Sequence, residues 1–200
     1  MSFWDERYQG EAYLFGEAPN AFLARQAPRL TPGQNALAVA DGEGRNGVWL
    51  AEQGLSVLSV DASPVAQAKA ARLALARGVS LELAQVDLST WDWPQEQFDL
   101  VVGIFIQFAG PELRTELFAG LKGALKPGGL LLLEGYRPEQ IAYGTGGPRT
   151  PENLYTEDLL RTAFADFEIL ELAAYDAPIE EGAGHSGMSA LIDLVARKPG

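Results

Sequence analysis

The stretch Val39-Ala40-Asp41-Gly42-Glu43-Gly44-Arg45-Asn46-Gly47 decides the fold of this chain. An apolar run leads into it from Asn35, and a helix-like segment follows it. A second apolar run, residues 55–60, ends at Asp61, 19 positions after Gly42. Glycine has no Cβ and lets backbone approach a ligand, while the acid falls where ribose hydroxyls need an acceptor. The pattern predicts a strand, a glycine turn, a helix and a strand that together bind an adenosine-type cofactor.

The rest of the chain continues this alternation of strands and helices. Ser63-Pro64 predicts a helix start and Gly78 its end, because proline suits the first helical position and glycine the left-handed cap. Amphipathic spacing predicts further helices over 111–125 and 156–165, and 126–129 reads as a turn. Strands are predicted at 36–40, 56–60, 80–86, 98–104, 130–133, 167–175 and 190–196.

This order of elements predicts a single-domain α/β fold. Its sheet is doubly wound, mostly parallel and seven-stranded, with helices on both faces. No helical pattern separates the last two strands, and residues 178–187 are polar and glycine-rich, so we expect a loop there and a C-terminal antiparallel hairpin. Residues 1–34 are rich in aromatics and lack strong periodicity before Phe22. We expect 1–34 to form an N-terminal cap or lid and 35–200 the catalytic domain.

Composition excludes several function classes. The 200 residues favour one domain, and a hydrophobic fraction of 47% allows a sizeable core. Cysteine is absent and histidine occurs once, so we expect no disulfide, no thiolate catalysis and no metal site. A net charge of −12 would repel a phosphate backbone, so no nucleic-acid partner is expected. The N-terminus has no signal-peptide pattern and no apolar run is of membrane length, which predicts a cytoplasmic protein without a membrane partner.

Five motifs in order resemble class I S-adenosylmethionine-dependent methyltransferases, over nearly the whole chain. They are residues 40–46, 60–64, 86–88, 98–102 and 125–129, the last reading Leu-Lys-Pro-Gly-Gly. Trp4-Asp5-Glu6-Arg7-Tyr8 and Glu134-Gly135-Tyr136 are similar to the small bacterial branch that includes tellurite-resistance and thiopurine-type methyltransferases. The resemblance implies a Rossmann-like methyltransferase fold, S-adenosylmethionine as cofactor and methyl transfer to a small-molecule acceptor.

The resemblance also implies which residues hold the cofactor. The Gly42 and Gly44 backbone would pass under it, Asp61 would accept from the ribose hydroxyls, and Asp87 with Leu88 would face the adenine. From the residues alone, Asp61 could instead be a solvent-exposed acid or the cap of the next helix, and Asp87 a turn residue. The family usually has an acid two residues before the first glycine, where this chain has Ala40. Asp41 either takes that role from a shifted position, or the amino-acid end of the cofactor is held differently. The implied cofactor residues are Asp41, Gly42, Glu43, Gly44, Asn46, Asp61, Ala62, Asp87, Leu88, Ile104, Trp4 and Tyr13.

Three residues are candidates for contact with the acceptor. Gln107 stands where related proteins often carry a polar substrate-facing residue, in the segment 104–108 that should line the cleft. Tyr136 precedes a glycine-rich loop, residues 144–148, that could shape the acceptor pocket. His185 titrates near neutrality and could serve as a base, or it could be structural. The aromatics Trp4, Tyr8, Tyr13 and Phe15 could fold over the cofactor and contact its sulfonium.

Two other functions remain open at this point. The altered end of the first strand allows a protein that binds an adenosyl ligand without transferring a methyl group. The literal Gly42-x-Gly44-x-x-Gly47 fingerprint allows an NAD(P)-dependent oxidoreductase. Such an enzyme would normally repeat the mononucleotide-binding half and add a substrate domain. The short chain and its predicted terminal hairpin favour the methyltransferase.

Overall fold

The computed structural model describes residues 3–200, so the first two residues of the predicted cap lie outside the described part. Seven strands form one sheet in the order β3-β2-β1-β4-β5-β7-β6. The strands are β1 Asn35–Val39, β2 Ser56–Asp61, β3 Glu82–Gln85, β4 Phe98–Ile104, β5 Leu125–Tyr136, β6 Glu168–Glu181 and β7 His185–Arg197. The helices are α1 Phe3–Arg7, α2 Ala21–Arg25, α3 Arg45–Glu52, α4 Pro64–Arg77, α5 Pro111–Ala124, α6 Gln140–Tyr143 and α7 Glu157–Ala163.

The sheet confirms the predicted fold class. Strands β1 to β5 pair in parallel, and β7 pairs antiparallel with both β5 and β6. Strand order therefore reverses between β1 and β4, where β1 has β2 on one side and β4 on the other. In open α/β sheets, ligands bind at the carboxyl ends of strands near such a reversal. Strand β7 is inserted antiparallel beside β5, whereas the second half of a dinucleotide-binding domain continues with parallel strands.

Alternating side chains of the central strands form two cores. Leu37 and Val39 of β1 pack in one buried cluster, while Ala36 and Ala38 pack in another. Successive side chains of a strand point to opposite faces, so each face needs its own apolar layer. The helices on both sides of the sheet supply these layers, which leaves the ends of the strands free to carry polar groups.

The C-terminal hairpin is longer than the sequence predicts. Strand β6 continues to Glu181 and β7 begins at His185, so the predicted loop over 178–187 is wrong except at its tip. Glu181 pairs directly with His185 across that tip. Backbone pairing overrides the polar, glycine-rich composition, because a ladder needs only amides and carbonyls. His185 is therefore the first residue of β7 and not part of a loop.

Two smaller expectations also need correction. Residues 126–129, predicted as a turn, are the irregular start of β5, where Phe98 pairs with Leu125 but Leu100 pairs with Leu130. The three extra residues bulge out of the ladder, which is how turn-forming residues fit inside a strand. The N-terminal segment, without predicted periodicity before Phe22, contains helix α1 and packs on α4.

Candidate functional site

A cavity of about 310 Å³ opens at the carboxyl ends of β1, β2 and β4. It lies at the reversal of strand order, where the fold predicts a ligand. Its size is at the lower end of the range usual for small-molecule sites. We call it the donor cavity. It is lined by Trp4, Tyr8, Phe15, Ala40, Asp41, Gly42, Arg45, Asn46, Asp61, Ala62, Asp87, Leu88, Ser89, Ile104, Phe105, Phe108, Leu113 and His185.

Most residues predicted to hold the cofactor meet in this cavity. The exceptions are Glu43, Gly44 and Tyr13, which lie outside its lining. Gly44 has a left-handed φ of +87°, and a Cβ there would lie 2.5 Å from the Ala70 Cβ. Glycine at position 44 is therefore needed for close packing of the loop on α4. Gly42 does line the cavity, and a Cβ there would lie 2.8 Å from the Tyr8 hydroxyl oxygen.

Asp61 ties the glycine loop to the end of β2. Its carboxylate accepts hydrogen bonds from the Gly42 amide at 2.9 Å and from the Ser63 amide at 2.8 Å. Burial raises the pKa of Asp61, and these two amides oppose that rise. Ser63 in turn caps α4 by accepting from the Ala66 amide. The acid is thus neither a free surface group nor itself the helix cap, and it lines the donor cavity.

Asp41 belongs to the glycine loop, and its side chain is buried. Its carboxylate accepts from the Ser59 hydroxyl at 2.8 Å and from the Gly47 amide, in the first turn of α3. Burial raises its pKa to about 7, although the bonds from Ser59 and Gly47 lower it. A Cβ at Gly47 would lie 2.5 Å from its Oδ2 atom, so the third glycine makes room for this carboxylate. Asp41 therefore stabilises the turn into α3 with its side chain.

Glu43 and Lys69 form a buried ion pair that holds the N-terminal segment. Their side chains are each 2% exposed, and Lys69 Nζ lies 2.7 Å from Glu43 Oε1. Lys69 also donates to the Ala12 carbonyl, while Glu43 accepts from the Leu14 amide. The Tyr13 hydroxyl donates to the Lys69 carbonyl. Residues 12–14 are thereby fixed to α4 and to the glycine loop.

The adenine-side candidates are more open to solvent. Asp87 accepts from the amide and the hydroxyl of Ser89, which lowers its pKa. Leu88 and Ser89 line the cavity beside it. The carboxylate that was expected to accept from an exocyclic amine is therefore at the cavity rim and already receives two hydrogen bonds.

A second cavity, of about 390 Å³, adjoins the first. The two share the side chains of Trp4, Phe15, Phe105, Phe108 and His185 as a common wall. We call it the acceptor cavity. Among the described residues, its lining contains no carboxylate and one permanently charged cation, Arg7. Its remaining lining residues are Phe3, Gln107, Tyr136, Gly146, Gly147, Pro148, Asn153 and Gly184.

The three candidate acceptor-contacting residues all line this second cavity, with different freedom to act. Gln107 is committed to the backbone: its amide donates to the carbonyls of Tyr136 and Asn153, and its oxygen accepts from the Tyr136 amide. The Tyr136 hydroxyl is buried without a hydrogen-bond partner. Its ring stacks on Phe105, and burial raises its pKa. Tyr136 therefore has a free polar atom to offer, and Gln107 has little.

His185 lies between aromatic rings at the common wall. Ring centroids of Phe15 and Phe105 are 4.4 Å and 4.5 Å from its own. Its Nδ1 atom is buried and lies 4.0 Å from Glu181 Oε2. Burial lowers the pKa of His185, while the neighbouring Glu181 opposes that shift.

Glu181 is held as a carboxylate by several partners. Arg45 Nη2 lies 2.6 Å from its Oε2, and the Ala21 amide donates to Oε1 at 3.1 Å. Although burial opposes it, these contacts and His185 lower its pKa to about 2. Arg45 also lines the donor cavity. Sequence reasoning missed both residues, because Glu181 lay in a predicted loop and Arg45 reads as an ordinary helix-start residue.

A buried acidic cluster lies behind Glu181 at the junction of β5 and β7. Glu134 and Asp193 are cross-strand partners, and Asn20 donates to both Glu134 and Glu181. Burial raises the pKa of Glu134 well above its ordinary value and that of Asp193 to about 6. Arg25 donates to Asp193 at 2.8 Å. This cluster connects the N-terminal segment to the sheet, away from either cavity.

Comparisons with known proteins agree with this geometry. Residues 36–129 match the family described as a methyltransferase domain. A 67-residue stretch is 39% identical to thiopurine S-methyltransferase of Nitrosospira multiformis, covering 32% of this chain and 30% of that protein. The chain therefore spans about a third of the length of this curated relative.

Solved structures match over nearly the whole chain. TehB from Haemophilus influenzae superposes with a TM-score of 0.73 at 19% identity, over 98% of this chain and 66% of that one. The N-methyltransferase NodS from Bradyrhizobium japonicum, solved with S-adenosyl-L-homocysteine, superposes with a TM-score of 0.74 at 15% identity, over 98% and 97%. Similarity at this level of identity establishes a shared fold.

Proposed function

We propose that this chain is a class I methyltransferase that transfers the methyl group of S-adenosylmethionine to a small-molecule acceptor. The observation that carries the proposal is the pair of adjoining cavities, which are lined in common by four aromatic residues and His185. Methyl transfer requires two ligands to meet in line at one point, and cavities lined by the same side chains bring both ligands to those side chains. An adenosyl-binding protein without activity would not need the second cavity.

The donor cavity suits S-adenosylmethionine in its chemistry. Asp61 offers carboxylate oxygens to ribose hydroxyls at the end of β2. Arg45 and the amino-terminal end of α3 favour a carboxylate such as that of the methionine portion. Trp4, Tyr8 and Phe15 present aromatic rings, which attract a sulfonium cation. Together these groups match the ribose, carboxylate and sulfonium of one molecule.

In the reaction, the protein aligns the two ligands, shields them from water and stabilises charge. When bound, S-adenosylmethionine supplies an electrophilic methyl group. The rings of Trp4, Phe15 and Phe105 exclude water from the point where the cavities meet. The glycine loop is held rigid by Asp61 and Asp41, so little ordering is left for the moment of binding.

We also propose that residues 1–34 act as a cap over the catalytic residues 35–200. Tyr8 lies against Gly42, and Trp4 and Phe15 line both cavities. Only part of this cap has the freedom to open, because residues 12–14 are fixed by the buried Glu43–Lys69 pair. The section before them, residues 3–10, is therefore the section that we expect to move when ligands enter.

Two further proposals concern the cellular location of the protein and its binding partners. Among residues 3–200, no helix is long and apolar enough to cross a membrane. We propose a cytoplasmic enzyme that binds neither nucleic acid nor membrane, supported by the lack of cysteine and the net charge of −12. Fractionation of cells that express the natural gene tests the location, and retention on heparin or DNA would contradict the proposed partners.

Calorimetry tests the proposed function most directly. S-adenosylmethionine or S-adenosylhomocysteine is expected to bind with micromolar-range affinity, on the order of −8 kcal/mol, and NADH is expected not to bind. Formation of S-adenosylhomocysteine in the presence of a panel of thiols, oxyanions, amines and phenols then tests turnover. NADH binding without adenosyl binding would contradict the function, and tight adenosyl binding without turnover on a broad panel would favour a non-catalytic role.

A further inference from the structure

We propose that His185 is the base that removes the proton from a phenol-type hydroxyl acceptor bound in the acceptor cavity. This inference rests on the proposed methyl transfer and adds the acceptor class and the residue that activates it. His185 is the single histidine of the chain. It lines both cavities, so its ring is near the point where donor and acceptor would meet.

The orientation of the His185 ring supports this role. Nδ1 lies on the side of Glu181, 4.0 Å from its carboxylate. The opposite edge carries Cδ2 and Nε2. Cδ2 lies on the side of Gly146, which lines the acceptor cavity, since a Cβ built on Gly146 would lie 3.7 Å from it. A carboxylate beside Nδ1 favours the tautomer with its proton on Nδ1. Nε2 is then the nitrogen with a lone pair, on the cavity side.

Charges around the ring suit a base that works near neutral pH. Four charged or titratable groups face His185: Glu181 on β6, Arg45 on α3, Arg7 on α1 and Tyr136 on β5. Burial and the two arginines keep the ring neutral before reaction, which leaves it able to accept a proton. The fixed carboxylate of Glu181 then stabilises the imidazolium that forms.

The lining of the acceptor cavity favours a flat acceptor that is neutral or acidic. Six aromatic side chains line it, and no carboxylate does among the described residues. An aliphatic amine is a cation at neutral pH and would have no carboxylate to pair with. Arg7 already stacks over the rings of Phe3, Trp4 and Phe15, at 5.1–5.8 Å from their centroids. The aromatic rings on that side therefore already have a cation.

A basic residue beside the acceptor matters more for the methylation of a hydroxyl than for that of a thiol. The pKa of a phenol is about 10 and that of a thiol about 8.5. Methylation of the phenol at neutral pH therefore depends far more on a base. In the step proposed, the acceptor O–H bond breaks and its proton passes to Nε2. The oxygen electron pair forms the new bond to the methyl carbon, and the methyl–sulfur electron pair stays on sulfur. His185 then releases the proton to solvent.

Matched acceptors test the proposal. With 2-naphthol and 2-naphthalenethiol, the wild type is expected to methylate the phenol near neutral pH. His185→Gln is expected to lower kcat for the phenol by about 10²–10⁴-fold, the usual contribution of a general base, and to leave thiol methylation largely intact. Thiol turnover also shows that the variant is folded. Ser186→Ala, at the exposed neighbouring position, is the control that leaves both reactions unchanged.

The pH profile and a spectroscopic measurement complete the test. In the wild type, the rate of phenol methylation should rise with pH as His185 loses its proton, with a midpoint below pH 6.5. In His185→Gln, the rate should instead follow the ionisation of the acceptor itself. Because the chain has one histidine, ¹³C-histidine labelling gives a single NMR signal that needs no assignment. We expect that signal to titrate below 6.5 and to shift when 2-naphthol is added with S-adenosylhomocysteine.

The outcomes separate the two proposals. Equal loss of phenol and thiol turnover in His185→Gln, or an NMR signal that does not respond to 2-naphthol, would overturn the role of His185. Wild-type turnover with the thiol and none with the phenol would overturn the acceptor class and leave methyl transfer intact. Failure of the wild type to bind S-adenosylmethionine would instead overturn the proposed function.

Discussion

The donor and acceptor cavities share one aromatic wall but differ in how the chain builds them. The polar residues of the donor cavity come largely from one unit, β1 through β2, within residues 40–62. The acceptor cavity gathers side chains from residues 3 to 185, including α1, the end of β5, the loop after α6 and the tip of the hairpin. Cofactor chemistry is thus encoded locally, and acceptor chemistry depends on long-range packing.

The two cavities also differ in how fully their buried polar groups are hydrogen-bonded. Around the donor cavity, Asp41, Glu43 and Asp61 all receive hydrogen bonds from neighbouring groups. Around the acceptor cavity, the Tyr136 hydroxyl is buried without a hydrogen-bond partner. Buried polar atoms without partners are costly, and in native proteins they call for a ligand, a water or a function. We infer that the chain itself satisfies these polar groups on the donor side, whereas the Tyr136 hydroxyl is available to a ligand in the acceptor cavity.

The largest expected effect is a loss of stability when the buried Glu43–Lys69 pair, which holds residues 12–14, is broken. Lys69→Met leaves the Glu43 carboxylate buried without its partner, so we expect the free energy of unfolding to fall by about 3–5 kcal/mol. Urea denaturation measures this loss. Lys126→Met breaks the more exposed pair with Asp99 and should cost at most about 1 kcal/mol.

The double variant Lys69→Met/Glu43→Gln sharpens this prediction. It removes both charges, so stability should recover much of what Lys69→Met alone loses. If Lys69→Met unfolds no more easily than Lys126→Met, the buried pair does not hold residues 12–14 in place.

The second prediction concerns cofactor binding by Asp61. Asp61→Ala should weaken adenosylmethionine binding by about 1.5–3 kcal/mol, the scale of losing hydrogen bonds to a charged acceptor. Calorimetry on the folded variant measures it. Asp87→Ala is the matched control, since that carboxylate is exposed and bonded to Ser89, and we expect a smaller loss. Binding as tight as that of the parent would mean that Asp61 serves only the loop and Ser63.

Sequence reasoning succeeded where function and fold share a local signal. The glycine turn after β1 and Asp61 at the end of β2 belong to one strand–turn–helix–strand unit, whose spacing can be read directly. Strand β4 and helix α4 were predicted to within a residue, because apolar runs and caps mark their ends. The residue roles in the donor cavity remain predictions, although nine of the twelve proposed residues line it.

The same reasoning failed where strand pairing overrides composition. Residues 178–187 look like a loop, yet cross-strand hydrogen bonds extend β6 to Glu181 and start β7 at His185. That pairing brings Glu181 beside His185 and within reach of Arg45, 136 positions earlier. No local pattern signals such contacts, since they depend on the register between strands and on where α3 begins. The contacts of Glu43 and Tyr13 with Lys69 are likewise distant in sequence, 26 and 56 positions apart.

A third prediction tests the unpartnered hydroxyl on the acceptor side. Tyr136→Phe removes a buried group that lacks a hydrogen bond, so we expect stability to rise by about 1 kcal/mol while acceptor binding weakens. Tyr155 also has a buried hydroxyl without a partner, but it lines neither cavity. Tyr155→Phe should therefore give a similar gain in stability with no change in acceptor binding. Loss of acceptor binding in both variants would point to a general loosening of the core.

The smallest expected effect concerns the free end of the cap. Trp4 lines both cavities and is only half-buried, so Trp4→Leu should weaken adenosylmethionine binding by about 0.5–1 kcal/mol, the scale of an exposed cation–π contact. Hydrogen exchange with S-adenosylhomocysteine locates the motion: amides of residues 4–10 should gain protection, while those of 12–16, fixed by Glu43 and Lys69, should change little. Equal gains over both stretches would mean that the whole segment closes as one body. No gain over 4–10, with protection around Gly42, would mean that this stretch packs on the core and does not act as a lid.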